Sequence, residues 1–148
     1  FEMGKKYNLK PGNPNHAERI EGGLLSYGND IYIDDNPFEC GFDNYVQLNG
    51  DVNYLGKNEL IKIKKKGIQK KLMGVLIDID QINLTKEIPI FINKNKIGTL
   101  RSAAYSPKFK KVVGIAMIKK EYWTENNKFK IQIDTEMYSG ILRQLPIK

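Results

Sequence analysis

The residues that could contact a ligand lie in two stretches of the chain, 15–27 and 101–106. Arg19 and Glu21 are two residues apart, so on a helix their side chains point to different sides and should not pair with each other. We expect each to meet another segment, either as a structural ion pair at a domain junction or with one of them lining a ligand cleft. Tyr27 precedes a turn, and Tyr105 begins a Tyr-Ser-Pro turn between two strands. Both tyrosines could serve packing, or could present a ring and a hydroxyl to a ligand.

Histidine and cysteine are sparse in the sequence. His16 is the only histidine, with no cysteine or second histidine near it, which argues against a metal site. Cys40 is the only cysteine and has no histidine at a recognisable spacing, so we predict a small buried hydrophobe. A single cysteine cannot form an internal disulfide and suits a reducing compartment, for which we expect the cytoplasm.

The composition restricts the class of partner. The net charge is +7 at pH 7, but the basic residues are almost all lysines spread along the chain, without a nucleic-acid-binding motif. We therefore expect no nucleic-acid partner, and read the charge as compositional drift that aids solubility, with a share in attracting an anionic ligand. No apolar run approaches the roughly 18 residues needed to cross a bilayer, so no membrane partner is expected.

A short helix should position the first stretch. We predict it over residues 16–25, with Asn15 as N-cap and Glu18 as its capping-box partner. The chain then turns at Gly28, and residues 45–48 could form a short strand. The apolar face of the helix would be formed by Ala17, Ile20 and Leu24.

The remainder of the chain is predicted to be mainly β. After an irregular lead-in over 1–14 and the first helix, a second helix over 56–66 should end at Gly67. The period then changes from helix to strand, and Lys94-Asn95 marks a hairpin. The fold class is therefore α+β, mainly β: a short N-terminal helical segment, one further helix and a six-stranded antiparallel β-barrel. The six β-rich runs are 71–78, 88–93, 97–104, 112–119, 129–135 and 139–145.

The stretch 19–41 resembles one family closely. It fits R-[LI]-E-x-G-x-x-x-Y-G-x-[DE] followed by [TN]-P-[FVL]-E-x-G, a pattern of the glycine cleavage T-protein (aminomethyltransferase) family. Any one block is a weak signal, but several in the family's order along the chain are specific. The matching residues are Arg19, Ile20, Glu21, Gly23, Tyr27, Gly28, Asp30, Asn36, Pro37, Phe38, Glu39 and Gly41, and further blocks lie at 54–60, 71–76, 97–107, 113–118 and 141–146.

This resemblance implies a one-carbon transferase that uses tetrahydrofolate as cofactor and a small methyl or aminomethyl donor. The family's catalytic aspartate lies in an N-terminal half that we expect to precede this chain, so no catalytic residue is assigned and the chain alone should be inactive. Residues 1–50 are expected to end a folate-binding domain, and 51–148 to form the C-terminal barrel domain. The implied cofactor-binding residues are Asn15, Arg19, Glu21, Tyr27, Arg101 and Tyr105.

Two departures from the family pattern bear on its branches. Asn15 stands where many T-proteins have an arginine, and it offers hydrogen bonds but no charge to a carboxylate. Leu24 stands where some members have a tyrosine. Both favour a branch like the dimethylsulfoniopropionate demethylases over true aminomethyltransferases. Two alternatives remain open: the folate-binding domain of a sarcosine or dimethylglycine oxidase, and a non-catalytic folate-binding module of the same fold.

Overall fold

A closed β-barrel forms the C-terminal part of the chain. The computed structural model describes residues 2–10, 12 and 15–148. The strands close in the order β1-β4-β3-β2-β5-β6, β6 pairs back to β1, and every pair is antiparallel, which confirms the predicted six-stranded barrel. The strands are β1 (Lys70–Ile77), β2 (Ile88–Ile92), β3 (Asn95–Ser106), β4 (Lys111–Lys119), β5 (Lys128–Ile133) and β6 (Glu136–Arg143).

Alternating side chains fill the barrel interior. In β5, Phe129 and Ile131 are buried while Lys130 and Gln132 are exposed, as expected of a strand with one face on a core. The predicted hairpin between β2 and β3 is confirmed, although its turn residues are Asn93 and Lys94. Both have positive φ, 48° and 69°, and asparagine tolerates this conformation better than most residues do.

The first helix is shorter than predicted. The helix α1 (His16–Glu21) ends because Gly23 adopts a φ of +67°. The amide of Gly23 donates to the carbonyl of Ile20, and the amide of Leu24 donates to the carbonyl of Arg19, which together form a Schellman cap. The prediction for Leu24 was therefore wrong: it lies beyond the helix and is 66% exposed.

The other predicted face residues, Ala17 and Ile20, are buried as expected. They belong to the side of α1 that faces the barrel, and Ile20 joins an apolar cluster on the barrel's outer wall. Cys40 is also buried there, which confirms its prediction as a small hydrophobe. The outer cluster consists of Ile20, Cys40, Leu72, Leu76, Val113, Ile115, Met117 and Ile147.

The second helix is confirmed and one predicted strand is not. The helix α2 (Lys57–Lys66) ends at Gly67, whose φ is 77° and whose amide donates to the carbonyl of Ile63. Residues 45–48 do not form a strand, because the closed barrel leaves no free edge for them to join. A 3-10 turn (Asp43–Tyr45) ends at the first of these residues, and 46–48 have no regular secondary structure.

The lead-in also differs from the expected irregular structure, since a 3-10 helix spans Glu2–Tyr7. The remaining part of that prediction includes Phe1, Pro11, Asn13 and Pro14, which lie outside the described residues. Across the described ranges, the longest helices fall short of the length and apolar character required to traverse a bilayer.

Strand packing leaves no room for a side chain at Gly98. A Cβ atom there would lie 2.2 Å from the carbonyl oxygen of Met117 and 2.7 Å from Cδ1 of Ile118. We therefore expect Gly98→Ala to lower the free energy of unfolding by about 1–3 kcal/mol or more, measured by urea denaturation. The matched control is Thr99→Ala in the same strand, which adds no atom. Equal stability of the two variants would show that the strands separate easily at this point.

Candidate functional site

Residues 26–41, here called the anchored loop, are held to the rest of the fold by buried charges. The loop carries three carboxylates with little or no solvent exposure, Asp30, Asp35 and Glu39. Their cationic partners come from three different elements: Arg19 from α1, Lys70 from β1 and Arg101 from β3. Because each partner is fixed in its own element, the charges determine where the loop lies.

Arg101 makes the most contacts in this network. Its Nη1 donates to Asp35 Oδ2 at 2.5 Å and its Nη2 donates to Asp35 Oδ1 at 3.3 Å, a bidentate pairing that suits the guanidinium fork. Nη1 also donates to the carbonyl of Asp30 at 2.8 Å. A register shift in β3 between Leu100 and Ser102 accompanies this arginine, and such bulges redirect side chains.

The surroundings of Arg101 complete its burial. Its guanidinium carbon lies 4.6 Å from the centroid of the Tyr32 ring, and its Nε lies 3.2 Å from Oε1 of Glu87. The side chain is only 9% exposed. Arg101 is therefore engaged by the protein on several sides, and its visible role is to anchor the loop.

The anchor stabilises the charged form of Asp35, whose side chain is 1% exposed. Burial alone would raise the pKa of this carboxyl, but hydrogen bonds from Arg101 and Lys70, and from the amide of Tyr32, lower the pKa from 3.8 to about 2. The same pairing raises the pKa of Arg101 in spite of the opposing effect of burial. Both groups consequently remain charged over the physiological range.

Arg19 and Glu21 do not pair with each other, as predicted. Arg19 Nη1 lies 2.5 Å from Asp30 Oδ2 and donates to the carbonyl of Leu24 at 2.7 Å. Glu21 points to the barrel, where its Oε1 accepts a hydrogen bond from Ser106 Oγ at 2.6 Å. Each residue thus meets another segment.

The six sequence-predicted site residues divide into two groups. Arg19 and Arg101 both bind Asp30: Arg19 donates to its carboxylate and Arg101 to its main-chain carbonyl. Glu21 accepts a hydrogen bond from Ser106, which follows Tyr105 in the chain. Tyr27 and Tyr105 are 71% and 40% exposed, and Asn15 is also exposed. No hydrogen bond within the described residues links Asn15, Tyr27 and Tyr105 to one another.

Asn15 has a local structural task. Its Oδ1 accepts a hydrogen bond from the amide of Ala17 at 2.9 Å, which confirms it as the N-cap of α1. The capping-box bond expected from Glu18 does not occur among the hydrogen bonds of the described residues. The Asn15 side chain is thus partly committed to the helix end.

Sequence reasoning missed Asp35, Lys70 and Tyr32 as parts of this network. One signal could have found the anchor: Arg101 stands in a strand between Leu100 and Ser102, which are both buried. An arginine in a buried strand needs a carboxylate partner, and the acidic pair Asp34-Asp35, in the loop that follows α1, was one candidate for that partner.

The chemistry open to these residues is binding and positioning. Burial raises the pKa of the Cys40 thiol to about 11, helped by the charges of Asp35 and Glu39, so the thiol stays protonated at neutral pH. Over the described ranges, no three histidine, cysteine or acidic side chains gather in a way that could hold a metal ion.

Comparisons with known proteins agree on one family. The family model of the glycine cleavage T-protein C-terminal barrel domain matches residues 70–147. The chain is similar to the dimethylsulfoniopropionate demethylase of Ruegeria pomeroyi, with 29% identity covering 97% of this chain and 39% of that protein. It is 33% identical to the aminomethyltransferase of Thermoanaerobacter pseudethanolicus, covering 96% of this chain and 39% of that protein.

A solved structure shares the fold. The glycine cleavage system aminomethyltransferase T from Bartonella henselae superposes with a TM-score of 0.71 at 20% identity, covering 88% of this chain and 37% of that one. The chain spans 39% of the length of each of the two curated relatives named above.

The importance of the anchor can be measured directly. Arg101→Met should lower the free energy of unfolding by about 3–5 kcal/mol, because it leaves the buried Asp35 carboxylate without its main partner. The matched control is Lys62→Met, which removes an ion pair to Glu59 whose two side chains are 71% and 68% exposed. Such pairs contribute about 1 kcal/mol or less. Urea denaturation that gave equal losses for both variants would contradict the anchoring role.

The low pKa of Asp35 predicts an acid dependence of stability. Above pH 3.8 the carboxylate is ionised in both folded and unfolded protein, and its stabilisation is fully present. As the pH falls towards 2 the unfolded state takes up the proton first, so the protein should lose about 2 kcal/mol of stability. Urea denaturation between pH 4 and pH 2 should show a shallower decline for Asp35→Asn than for the unaltered protein. Parallel declines would contradict this assignment.

Proposed function

The chain belongs to the glycine cleavage T-protein family, in its C-terminal barrel domain, and from this premise we propose that it is the C-terminal portion of a tetrahydrofolate-dependent one-carbon transferase. The observation that carries the proposal is the match of the family's barrel to all six strands, residues 70–147. An aminomethyltransferase and a demethylase, both similar along almost the whole chain, are named for moving one-carbon groups.

Within this proposal, the six site residues have two kinds of role. Tyr27, Tyr105 and Asn15 have exposed side chains and would contact the cofactor, with a tyrosine ring stacking on the pterin. Arg19, Glu21 and Arg101 are engaged with protein partners, and would position the first group through α1 and the anchored loop. Tetrahydrofolate, when bound, supplies the nitrogen that receives the one-carbon unit.

The exposed apolar residues are consistent with contacts to further domains. Large exposed apolar side chains are concentrated before residue 56, whereas Tyr105 and Met137 are the examples in the barrel strands of the described chain. Exposed apolar side chains can mark a surface to which another part of a protein binds, where they form a contiguous patch. We infer that domains of a longer enzyme cover these side chains. Apart from Tyr45, the exposed residues before 56 include Leu24, Tyr27, Ile33, Val52 and Leu55.

The proposed domain division places 1–50 at the end of the folate-binding domain and 51–148 in the barrel domain. The two parts share the outer apolar cluster, because Ile20 and Cys40 pack with Leu72 and Val113. They would therefore hold a constant geometry relative to each other. A free and buried Cys40 suits the reducing conditions of the cytoplasm, which is the compartment we propose.

The proposal covers transfer of either a methyl or an aminomethyl group. Identities of 29% and 33% do not separate the two branches. We favour the demethylase-like branch because Asn15 and Leu24 depart from the pattern of the aminomethyltransferases. The donor would be a small sulfonium or amine, which an aspartate-bearing domain of the proposed longer enzyme would help to hold against the cofactor.

Calorimetric titration with tetrahydrofolate tests this function. We expect micromolar binding by the longer enzyme and much weaker binding, without turnover, by the 148-residue chain, because the chain supplies only one wall of the cleft. In the longer enzyme, Tyr27→Leu and Tyr105→Leu should each weaken binding roughly threefold to tenfold, the contribution of one aromatic contact. Tyr7→Leu is the control, since Tyr7 is 76% exposed, close to the 71% of Tyr27, but lies outside the proposed site. Absence of folate binding by the longer enzyme would overturn the proposal.

A further inference from the structure

A second cleft, separate from the predicted folate residues, lies beside the first barrel strand. It is formed where the end of α1, the segment 38–45, the start of β1 and the segment 144–146 converge. Its volume is about 520 Å³, which falls in the range of small-molecule sites. None of the six predicted cofactor-binding residues lines it. Four aromatic residues do: Phe38, Phe42, Tyr45 and Trp123.

The deepest lining residues are uncharged. Leu72 and Cys40 are both buried and belong to the outer apolar cluster. The Cys40 thiol is protonated at neutral pH, so it brings neither a charge nor a nucleophile to the cleft. A ligand that enters this site would thus meet apolar and aromatic surface at its inner end.

Among the described residues, two charged side chains line the cleft: Asp43, which pairs with Lys64 at 2.5 Å, and Lys71. The Nζ of Lys71 lies 4.9 Å from the centroid of the Trp123 ring and donates to Gln144 Oε1 at 3.3 Å, which is long for a hydrogen bond. Across the described part of the chain, no carboxylate lies within 4.0 Å of this ammonium.

The other lysines near the cleft differ in this respect. Lys64 lies over the Phe38 ring but pairs with Asp43 at 2.5 Å, and Lys70 pairs with Asp35 at 2.8 Å. Lys71 therefore supplies a positive charge that the protein leaves without an anionic partner. The amide nitrogen of Gln144 adds a second donor next to it.

We propose that this cleft binds a small aromatic carboxylate. Its ring packs among the aromatic side chains that line the cleft, and its carboxylate accepts hydrogen bonds from Lys71 and Gln144. Charge complementarity selects an anion, and the flat apolar walls select a ring. This inference does not depend on the proposed folate chemistry, because it concerns other residues and is tested on the 148-residue chain.

The chain contains one tryptophan, so the fluorescence of Trp123 reports on this cleft alone. Its indole Nε1 donates to the carbonyl of Ile118 at 2.9 Å, which holds the ring in place. We expect phenylacetate to change this fluorescence in a saturable way. The neutral isostere phenylacetamide should bind at least about tenfold more weakly, as for loss of one charge-assisted hydrogen bond.

Substitutions distinguish the proposed site from non-specific attraction to a basic protein. Lys71→Met keeps most of the side-chain length and should weaken phenylacetate binding about tenfold. Lys66→Met removes the same charge from an exposed residue outside the cleft, and should change binding less than twofold, roughly the effect of a screened surface charge. Thermal unfolding of both variants checks that the fold is retained.

Amide NMR shifts locate the ligand independently of any variant. Phenylacetate should move the signals of Gly41 and Gln144, which line the cleft, and leave those of Tyr27 and Tyr105 unchanged. The proposal is overturned if phenylacetate and phenylacetamide bind equally, if the two lysine variants behave alike, or if no saturable change occurs in the unaltered protein.

Discussion

The buried ion pair between Arg101 and Asp35 is the interaction on which the arrangement outside the barrel depends. It joins residues 66 positions apart in the chain, and connects a barrel strand to a loop that has little regular secondary structure of its own. A buried carboxylate is costly without its partner, so the loop cannot leave this position cheaply. Arg19 and Lys70 extend the same constraint to α1 and β1. Tyr27 belongs to this anchored loop, so the position of its exposed side chain is fixed relative to the barrel.

Two apolar cores divide the remaining work of the fold. One fills the barrel, where residues such as Ile90, Leu100 and Ile131 are fully buried. The other lies on the outer wall and receives Ile20 from α1 and Ile147 from the C-terminal segment. This second core holds α1 and the anchored loop against the barrel through burial of apolar surface. The ion pairs then fix the orientation of the loop. Apolar packing alone would tolerate small displacements of the loop, whereas bidentate hydrogen bonds specify its orientation.

The two proposed ligand surfaces follow from this construction. Near the predicted folate residues, Arg19 and Arg101 are paired with carboxylates of the anchored loop. The tyrosine rings are therefore the groups that remain exposed to a ligand there. In the second cleft, Lys71 keeps an ammonium without an anionic partner above an apolar floor. The contrast shows that a basic residue can be assigned to ligand binding only when its ion-pair partners in the fold are known. The sequence suggests that Arg101 could bind a ligand, but its guanidinium is paired with Asp35. Lys71 is one of many lysines in the sequence, yet its ammonium has no carboxylate partner among the described residues.

The sequence by itself determined the elements whose signals are local. Six β-rich runs after Gly67 predicted the positions of all six strands, Gly67 marked the end of α2, and the ordered motifs identified the family. The end of α1 at the left-handed Gly23 is a local signal as well, and the prediction of a helix to residue 25 passed over it. Tertiary structure decided the features that depend on distant partners. Residues 45–48 had strand-forming side chains but no free edge to join, because barrel closure had already paired every strand. The partner of Arg101 was hidden for the same reason: an ion pair across 66 positions leaves no periodic pattern, and only the folded chain brings its two charges together.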